Sequence, residues 1–475
     1  MRFTEWARKY GGLYTLKIGH RTMAVITDRE LVKRTVDKKS NIYSHRPASY
    51  VSHDLITKGN HLLVMFYGDK WRQFRRLIHP YLMESMVERE HLSIVNAEAI
   101  QLVRDYMLFP EDHMLHPKRF SNSIIYGIRT TDARSNYMTR LYNLMEEWSK
   151  LMETGNAPPV DAFPWLKYVP EKLFGNYKSR ALRVGKQMEV LYEDLLQDVL
   201  KRRETRNIGS FMDVVLDQND KVQLPREQLR FIGGVLMEGG SDTSSSLILA
   251  IIQALISNPS IQEQAYREIY DVVGEDRSPR WSDMERLPYI NMIVKEGHRW
   301  RPILPLCFPH ALSQAKDDWI DGKLLPKGTT VITNAWGIHM DPNVWKDPEV
   351  FDPNRYSGHT KLAPEYVARG DSKERDHYGY GVGRRICPGM YLAERNMLLS
   401  IAKLLWAFKF EDATGPDGQK VSVDSDPVTG YWNGFLYCAK DYGCKPMLRS
   451  EKIRETILRE YDEATTSVFS RFSKG

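Results

Sequence analysis

The residues best placed to do chemistry lie in one glycine-dense loop, Gly379-Tyr380-Gly381-Val382-Gly383-Arg384-Arg385-Ile386-Cys387-Pro388-Gly389, which runs into an apolar helical stretch. Three chemistries compete for it. A dinucleotide loop shares the recurrent glycines, but it should follow a strand and precede an acidic ribose ligand about 20 residues on, and that context is absent. A zinc site needs several Cys or His ligands at short spacing, and Cys387 has no such neighbour. The third is a lone thiolate ligand. A helix N-terminus and two adjacent guanidinium groups lower a thiol pKa, while glycines let the backbone donate N–H groups to the sulfur and lie flat against a large planar cofactor. One axial thiolate on haem iron fits that set.

A second suggestive stretch is Glu238-Gly239-Gly240-Ser241-Asp242-Thr243-Ser244-Ser245-Ser246, inside a segment from about Pro225 to Ser257 that is apolar at both ends. Each glycine costs about 1 kcal/mol relative to Ala in a helix, and the small polar side chains compete for backbone hydrogen bonds. Two structures fit. One is a loop separating two shorter helices; the other is a long buried helix opened locally, so that backbone and small side chains approach a ligand.

The loop Tyr380–Gly389 resembles the haem-binding signature of the cytochrome P450 monooxygenases, in which an aromatic residue, glycines, an arginine and the cysteine ligand stand at these intervals. Four further segments resemble that family, in its order along the chain. Trp71-Arg72-Gln73-Phe74-Arg75 is similar to its Trp-x-x-x-Arg helix, and Gly239-Gly240-Ser241-Asp242-Thr243-Ser244 to the oxygen-activating segment of its long central helix. Glu296-Gly297-His298-Arg299 resembles its Glu-x-x-Arg, and Phe351-Asp352-Pro353-Asn354-Arg355-Tyr356 the aromatic-x-Pro-x-Arg segment whose arginine joins that pair.

The resemblance implies a mainly α fold with small segregated β-sheets, forming a single large haem-thiolate domain over residues 1–475. It also implies roles. Cys387 becomes the metal ligand of haem b (iron protoporphyrin IX), Trp71, Arg75, His310 and Arg385 neutralise two propionates, and Gly239 and Tyr380 lie against the cofactor. Glu296 and Arg299 share a helix face at i,i+3, and Arg355 can add a second fork to the same carboxylate. Taken alone, such a pair is more often a surface ion pair worth under about 1 kcal/mol. Thr243 can hold a water, Asp242 can relay protons, and Gly239 and Gly240 leave room for O2. Tyr380 stands where the family usually carries Phe, and puts a hydroxyl near the sulfur.

The implied reaction inserts one oxygen atom from O2 into an apolar organic substrate by hydroxylation or epoxidation. A thiolate ligand favours O–O cleavage. Electrons would come from NADPH through NADPH–cytochrome P450 reductase, with cytochrome b5 as a second donor, because the chain carries no flavin or nicotinamide module. Lys70, Arg72, Arg76 and Arg384 would give a basic face for an acidic reductase domain. Two other classes stay open: a haem-thiolate oxidase or isomerase without net oxygen insertion, and a non-catalytic haem-binding protein. The style of Phe308-Pro309-His310-Ala311, Pro326-Lys327-Gly328-Thr329-Thr330 and Asp341-Pro342 resembles filamentous-fungal members, many of which tailor secondary metabolites.

The elements that must position these groups are mostly helical. Residues 11–27 read as a strand pair. In 181–203, Val184, Met188, Leu191, Leu195 and Val199 recur at three and four, which predicts an amphipathic helix. Helices are also expected around Ile290–Trp300 and Met390–Phe408, with a β-run at Thr329–Ala335. Substrate contacts are expected from Asn41–Met65, Pro158–Lys167, Phe231–Glu238, Ile303–Phe308 and Val428–Gly434, whose content implies an apolar ligand.

A formal charge of +6 over 475 residues does not call for nucleic acid, and a monomer is expected. Four cysteines make no disulfide framework; Cys307, Cys438 and Cys444 are read as structural or exposed. The opening MRFTEWARKYGG is amphipathic and basic, so the chain as written looks soluble or peripheral. Members of the family usually begin with a membrane helix before a segment like Phe3–Gly12. The expectation is therefore a protein of the endoplasmic reticulum membrane, on its cytosolic face, whose anchor is missing here.

Overall fold

The computed structural model describes residues 2–119, 122–132, 134–153, 155–415, 417–434 and 436–472. Helices carry most of the chain, and its strands fall into four small, separate sheets among the described residues. The predicted strand pair is present: Leu13–Ile18 runs antiparallel to Arg21–Ile26. Arg21–Ile26 in turn pairs in parallel with Thr330–Thr333, whose other edge takes His310–Ala311. That short edge strand places His310 beside Tyr43, far away in sequence.

The central helix runs unbroken from Arg226 to Ser257, 32 residues, through the Gly/Ser stretch. The two-helix alternative is thereby overturned. Leu247, Ile248, Ile251, Ile252 and Leu255 are buried beyond that stretch and Phe231, Ile232 and Met237 before it. Burial at roughly 1.5–3 kcal/mol per large apolar side chain outweighs two glycines at about 1 kcal/mol each. The hydroxyls that would compete with the helix bond to its own carbonyls instead: Thr243 Oγ1 donates to Gly239 O at 2.6 Å, and Ser245 and Ser246 donate to Asp242 O at 2.9 and 2.7 Å.

Against this helix lies Tyr177–Arg203, in which all five stripe residues are buried, as the periodicity predicts. Gly233 and Gly234 permit the close approach. A Cβ on Gly234 would collide with the Tyr192 ring, and one on Gly233 would meet the Tyr126 hydroxyl at 2.8 Å.

Helix Met390–Ala407 follows the cysteine loop and is almost wholly buried after its first turn. Helix Pro288–Trp300 carries Glu296 and Arg299, both buried. Arg299 Nε and Nη2 each donate to Glu296 at 2.7 Å, and the remaining guanidinium hydrogens reach the carbonyls of His339, Pro348 and Val350. Glu296 also accepts from Asp352 N at 2.9 Å. The pair thus ties the irregular 339–352 segment to the helix. Arg355 is less than the second fork expected: its Nε stands 3.4 Å from Glu296 Oε1, while its Nη atoms bond the Lys346, Asp347 and Val350 carbonyls. No single helix among the described residues is long and apolar enough to cross a membrane.

Candidate active site

A cavity of about 300 Å³ separates the central helix from the cysteine loop. It gathers Trp71, Arg75, Gly239, Gly240, Thr243, His310, Tyr380, Arg385 and Cys387 from across more than three hundred residues of sequence. Three expected contact regions also reach it, through Leu62, Leu236, Ile303 and Phe308 among others. Pro158–Lys167 and Val428–Gly434 contribute none of its described walls; Leu436 does so just beyond the latter.

Cys387 is held by its own backbone, its N–H donating to Tyr380 O at 2.9 Å. Gly389 lies so close that a Cβ there would meet the sulfur at 3.9 Å. The expected fall in the thiol pKa is not seen. Burial pushes it up, against weaker opposing effects of the Gly389 N–H and of Arg75. The two adjacent guanidiniums point elsewhere: Arg384 to Ser40 and Tyr67, Arg385 to the carbonyls of Ser44, Leu62 and Met65. The positive group beside the sulfur is Arg75, which donates to Ile386 O at 2.9 Å. In Gly379 and Gly383 the loop needs glycine: a Cβ would meet His298 Nδ1 at 2.5 Å in the first and Val36 O at 2.6 Å in the second, where φ is +60°.

Two half-buried guanidiniums, Arg75 and Arg385, line this part of the cavity, and the buried Arg46 lies behind Arg385. Burial lowers the pKa of Arg385 to about 8, with help from Arg46 and Arg75, and that of Arg46 to about 10. Arg75 is lowered likewise by burial. Among the described residues no carboxylate pairs with any of them. Clustered buried cations without counter-ions are unfavourable unless an anion joins them, so these residues fit a dianionic ligand such as the two propionates of haem. Trp71 forms the floor of the cluster, its ring 4.6 Å from the Arg385 guanidinium and 5.7 Å from that of Arg75. Arg46, which also donates to the Leu63, Phe308 and Pro309 carbonyls, carried no sequence signal. His310 is present but is a weaker partner. Its Nδ1 donates to Tyr43 O at 2.7 Å and burial, with Arg46 nearby, lowers its pKa to about 3. The ring is neutral and offers a carboxylate nothing until it takes up a proton, which an adjacent anion favours.

On the central helix Thr243 lines the cavity and Asp242 does not. Phase alone does not explain the difference: Gly239 and Thr243 are one turn apart, and Asp242, three residues after Gly239, stands at the edge of the same face. The Asp242 carboxyl lies instead toward Lys118, Tyr142 and Cys438; burial raises its pKa, opposed by Lys118. A direct proton transfer from Asp242 into the cavity is therefore not built.

The Tyr380 hydroxyl is absorbed by a buried network, donating to Glu394 Oε1 at 3.0 Å. Beside it the rings of His298 and His377 stack at 4.2 Å, both held neutral by burial. Tyr380→Phe is expected to strand one Glu394 oxygen and to cost about 1–3 kcal/mol. Denaturant unfolding measures it, and an unchanged midpoint would contradict the network.

The cavity wall also holds a group the sequence did not reveal. His61 Nε2 donates to Glu238 Oε2 at 2.8 Å, and Tyr192 OH donates to Glu238 Oε1.

The comparisons agree with this architecture. A family model described as cytochrome P450 matches residues 1–424. The cytochrome P450 monooxygenase patH of Penicillium expansum is 66% identical over 480 residues, covering 100% of this chain and 90% of that protein. The patH protein of Aspergillus clavatus is 65% identical over the same span and shares. The cytochrome P450 monooxygenase acuC of Aspergillus aculeatus is 64% identical over 484 residues, again 100% and 90%. A zebra fish cytochrome P450 solved with abiraterone superposes with a TM-score of 0.74 at 21% identity, covering 94% of this chain and 99% of that one.

Proposed function

The chain belongs to the cytochrome P450 family, a haem-thiolate monooxygenase with a mainly α fold and small separate sheets, and from that premise we propose that Cys387 is its iron ligand. The observation that carries this reading is the meeting, in one cavity, of a half-buried cysteine on a glycine loop with the guanidiniums of Arg75 and Arg385, which have no counter-ion among the described residues. The cofactor we propose is haem b, with Arg75, Arg385 and Trp71 holding its propionates, Arg46 reinforcing the charge, and His310 joining on protonation. Bound there, the haem supplies an iron that activates O2 and transfers one oxygen atom to the substrate.

The chain's own residues do the rest. The apolar walls exclude water and hold the substrate. Gly239, with open space where a Cβ would sit, leaves room for O2. Thr243 can turn its hydroxyl from Gly239 O to a water and so hold a proton donor inside the cavity, while Asp242 with Lys118 forms the reservoir behind the helix wall. The single catalytic domain spans residues 1–475 in this reading, acts as a monomer, and works on a small organic molecule of fungal secondary metabolism at the cytosolic face of the endoplasmic reticulum.

The redox partner we propose is NADPH–cytochrome P450 reductase, with cytochrome b5 as an accessory. Its landing site is the exposed Arg72, Arg76 and Arg384, next to an open surface depression of about 410 Å³. Lys70 contributes less than the sequence suggests, because it turns inward to Gly59 O and Asn60. Asp69, 2.6 Å from Arg72, offsets part of the charge. Reduction by the reductase is expected to slow as salt rises from about 0.05 to 0.5 M, since the Debye length falls through about 10 Å at 0.1 M, and to slow further in Arg76→Glu. Stopped-flow reduction under carbon monoxide measures it; a salt-independent rate would remove this face from the account.

A further inference from the structure

Beyond the groups around the cysteine loop and the hydroxyls of Thr243 and Ser244, the cavity wall carries one further polar pair, His61 and Glu238. Glu238 and His61 both line the cavity and are both buried. Their arrangement is fixed from three sides. Leu63 N donates to His61 Nδ1 at 3.3 Å, so the ring proton sits on Nε2 and is given to Glu238. The Trp148 ring stands edge-on to His61 at 4.7 Å. Tyr192 reaches the second carboxylate oxygen only because Gly234 leaves space for its ring. A carboxylate has about four acceptor positions, and two are used.

We propose that Glu238, oriented by His61 and Tyr192, is a specificity anchor that accepts a hydrogen bond from a hydroxyl group of the substrate, making the substrate a small hydroxylated, otherwise apolar molecule. This rests on the monooxygenase reading of the same cavity. The chemistry selects a hydroxyl over an amine. A hydroxyl brings one donor and needs one acceptor, whereas an ammonium brings three N–H groups to a carboxylate with about two positions left free, leaving at least one buried and unpaired. The anchor also gives orientation. Glu238 and Thr243 are five residues apart on one helix, about 7.5 Å along its axis at about 1.5 Å per residue. A molecule held by its hydroxyl at Glu238 thus presents its far, apolar end toward the Thr243 level. The broad expectation of an apolar ligand is thereby narrowed.

The test is a binding titration of the haem-loaded enzyme with 4-ethylphenol, 4-ethylanisole and ethylbenzene, read from the substrate-induced change in haem absorbance. The wild type is expected to bind the phenol at least about tenfold more tightly than the ether, as a hydrogen bond to a charged group allows. In Glu238→Gln the preference should fall to about twofold or less with the ether unaffected. In Tyr192→Phe, which frees an acceptor position on the same carboxylate, the preference should be kept or increased. Equal wild-type affinities, or a preference that survives Glu238→Gln, would overturn the anchor. Should Glu238→Gln fail to load haem, Tyr192→Phe decides alone, a lost preference counting against the proposal. Loss of the thiolate spectrum in the wild type would instead strike the underlying function.

Discussion

Cys387→Ala is expected to give a folded chain with no detectable NADPH-supported turnover and no thiolate-type spectrum in the reduced carbon monoxide complex. Folding should survive because the bond that shapes the loop, Cys387 N–H to Tyr380 O, is made by backbone and does not need the sulfur. Removing one small buried side chain costs on the order of 1 kcal/mol, against a typical stability of about 5–15 kcal/mol. Arg75 and Arg385 remain, so haem is expected to associate, weakly and without its axial sulfur. Equilibrium unfolding, haem titration and the carbon monoxide difference spectrum separate these effects. A variant that kept a thiolate spectrum would shift the ligand to Cys307, the other cysteine on the cavity wall.

The second large effect concerns Glu296 and Arg299. Breaking a buried ion pair by removing one partner costs about 3–5 kcal/mol, because the survivor is left charged and unpaired. The cost of Arg299→Leu should lie at the upper end, since its guanidinium also satisfies the carbonyls of His339, Pro348 and Val350. Lysine cannot reproduce that planar set of donors, so Arg299→Lys should rescue little. Glu296→Leu combined with Arg299→Leu should be less destabilised than the sum of the single changes, with a coupling of about 0.5–3 kcal/mol. Because the 339–352 segment leads toward the cysteine loop, haem retention is expected to fall together with the unfolding midpoint. Additive single effects, or full haem retention in Arg299→Leu, would contradict a role in holding that segment.

The distribution of what the sequence reveals has a physical cause. Groups set by local spacing are legible: the cysteine loop, the i,i+3 pair on Pro288–Trp300, and the apolar stripe of Tyr177–Arg203 each follow from helical or turn geometry within a dozen or so residues. The central helix is ambiguous locally because glycine and serine oppose it, and only burial of both ends decides the matter. Asp242 could not have been placed by phase, since it stands three residues from Gly239 at the edge of the Gly239–Thr243 face; only the fold shows its carboxyl turned toward Lys118. Arg46 and the His61–Tyr192–Glu238 group are different. Their partners are 177 and 46 residues apart along the chain in the second case, and each is an unremarkable residue in its own segment. Their joint meaning arises only when the fold brings Arg46 beside Arg385 and Tyr192 beside the cavity-lining Glu238. Glu238 carried one partial signal: a carboxylate on the apolar face of a buried helix needs a partner.

The most direct test of the central claim is the absorbance of the wild-type protein, loaded with haem, reduced and exposed to carbon monoxide. A thiolate on iron through Cys387 predicts the red-shifted Soret band characteristic of sulfur ligation, and its loss in Cys387→Ala. A band of the histidine-ligated type in the wild type would contradict the account at its centre.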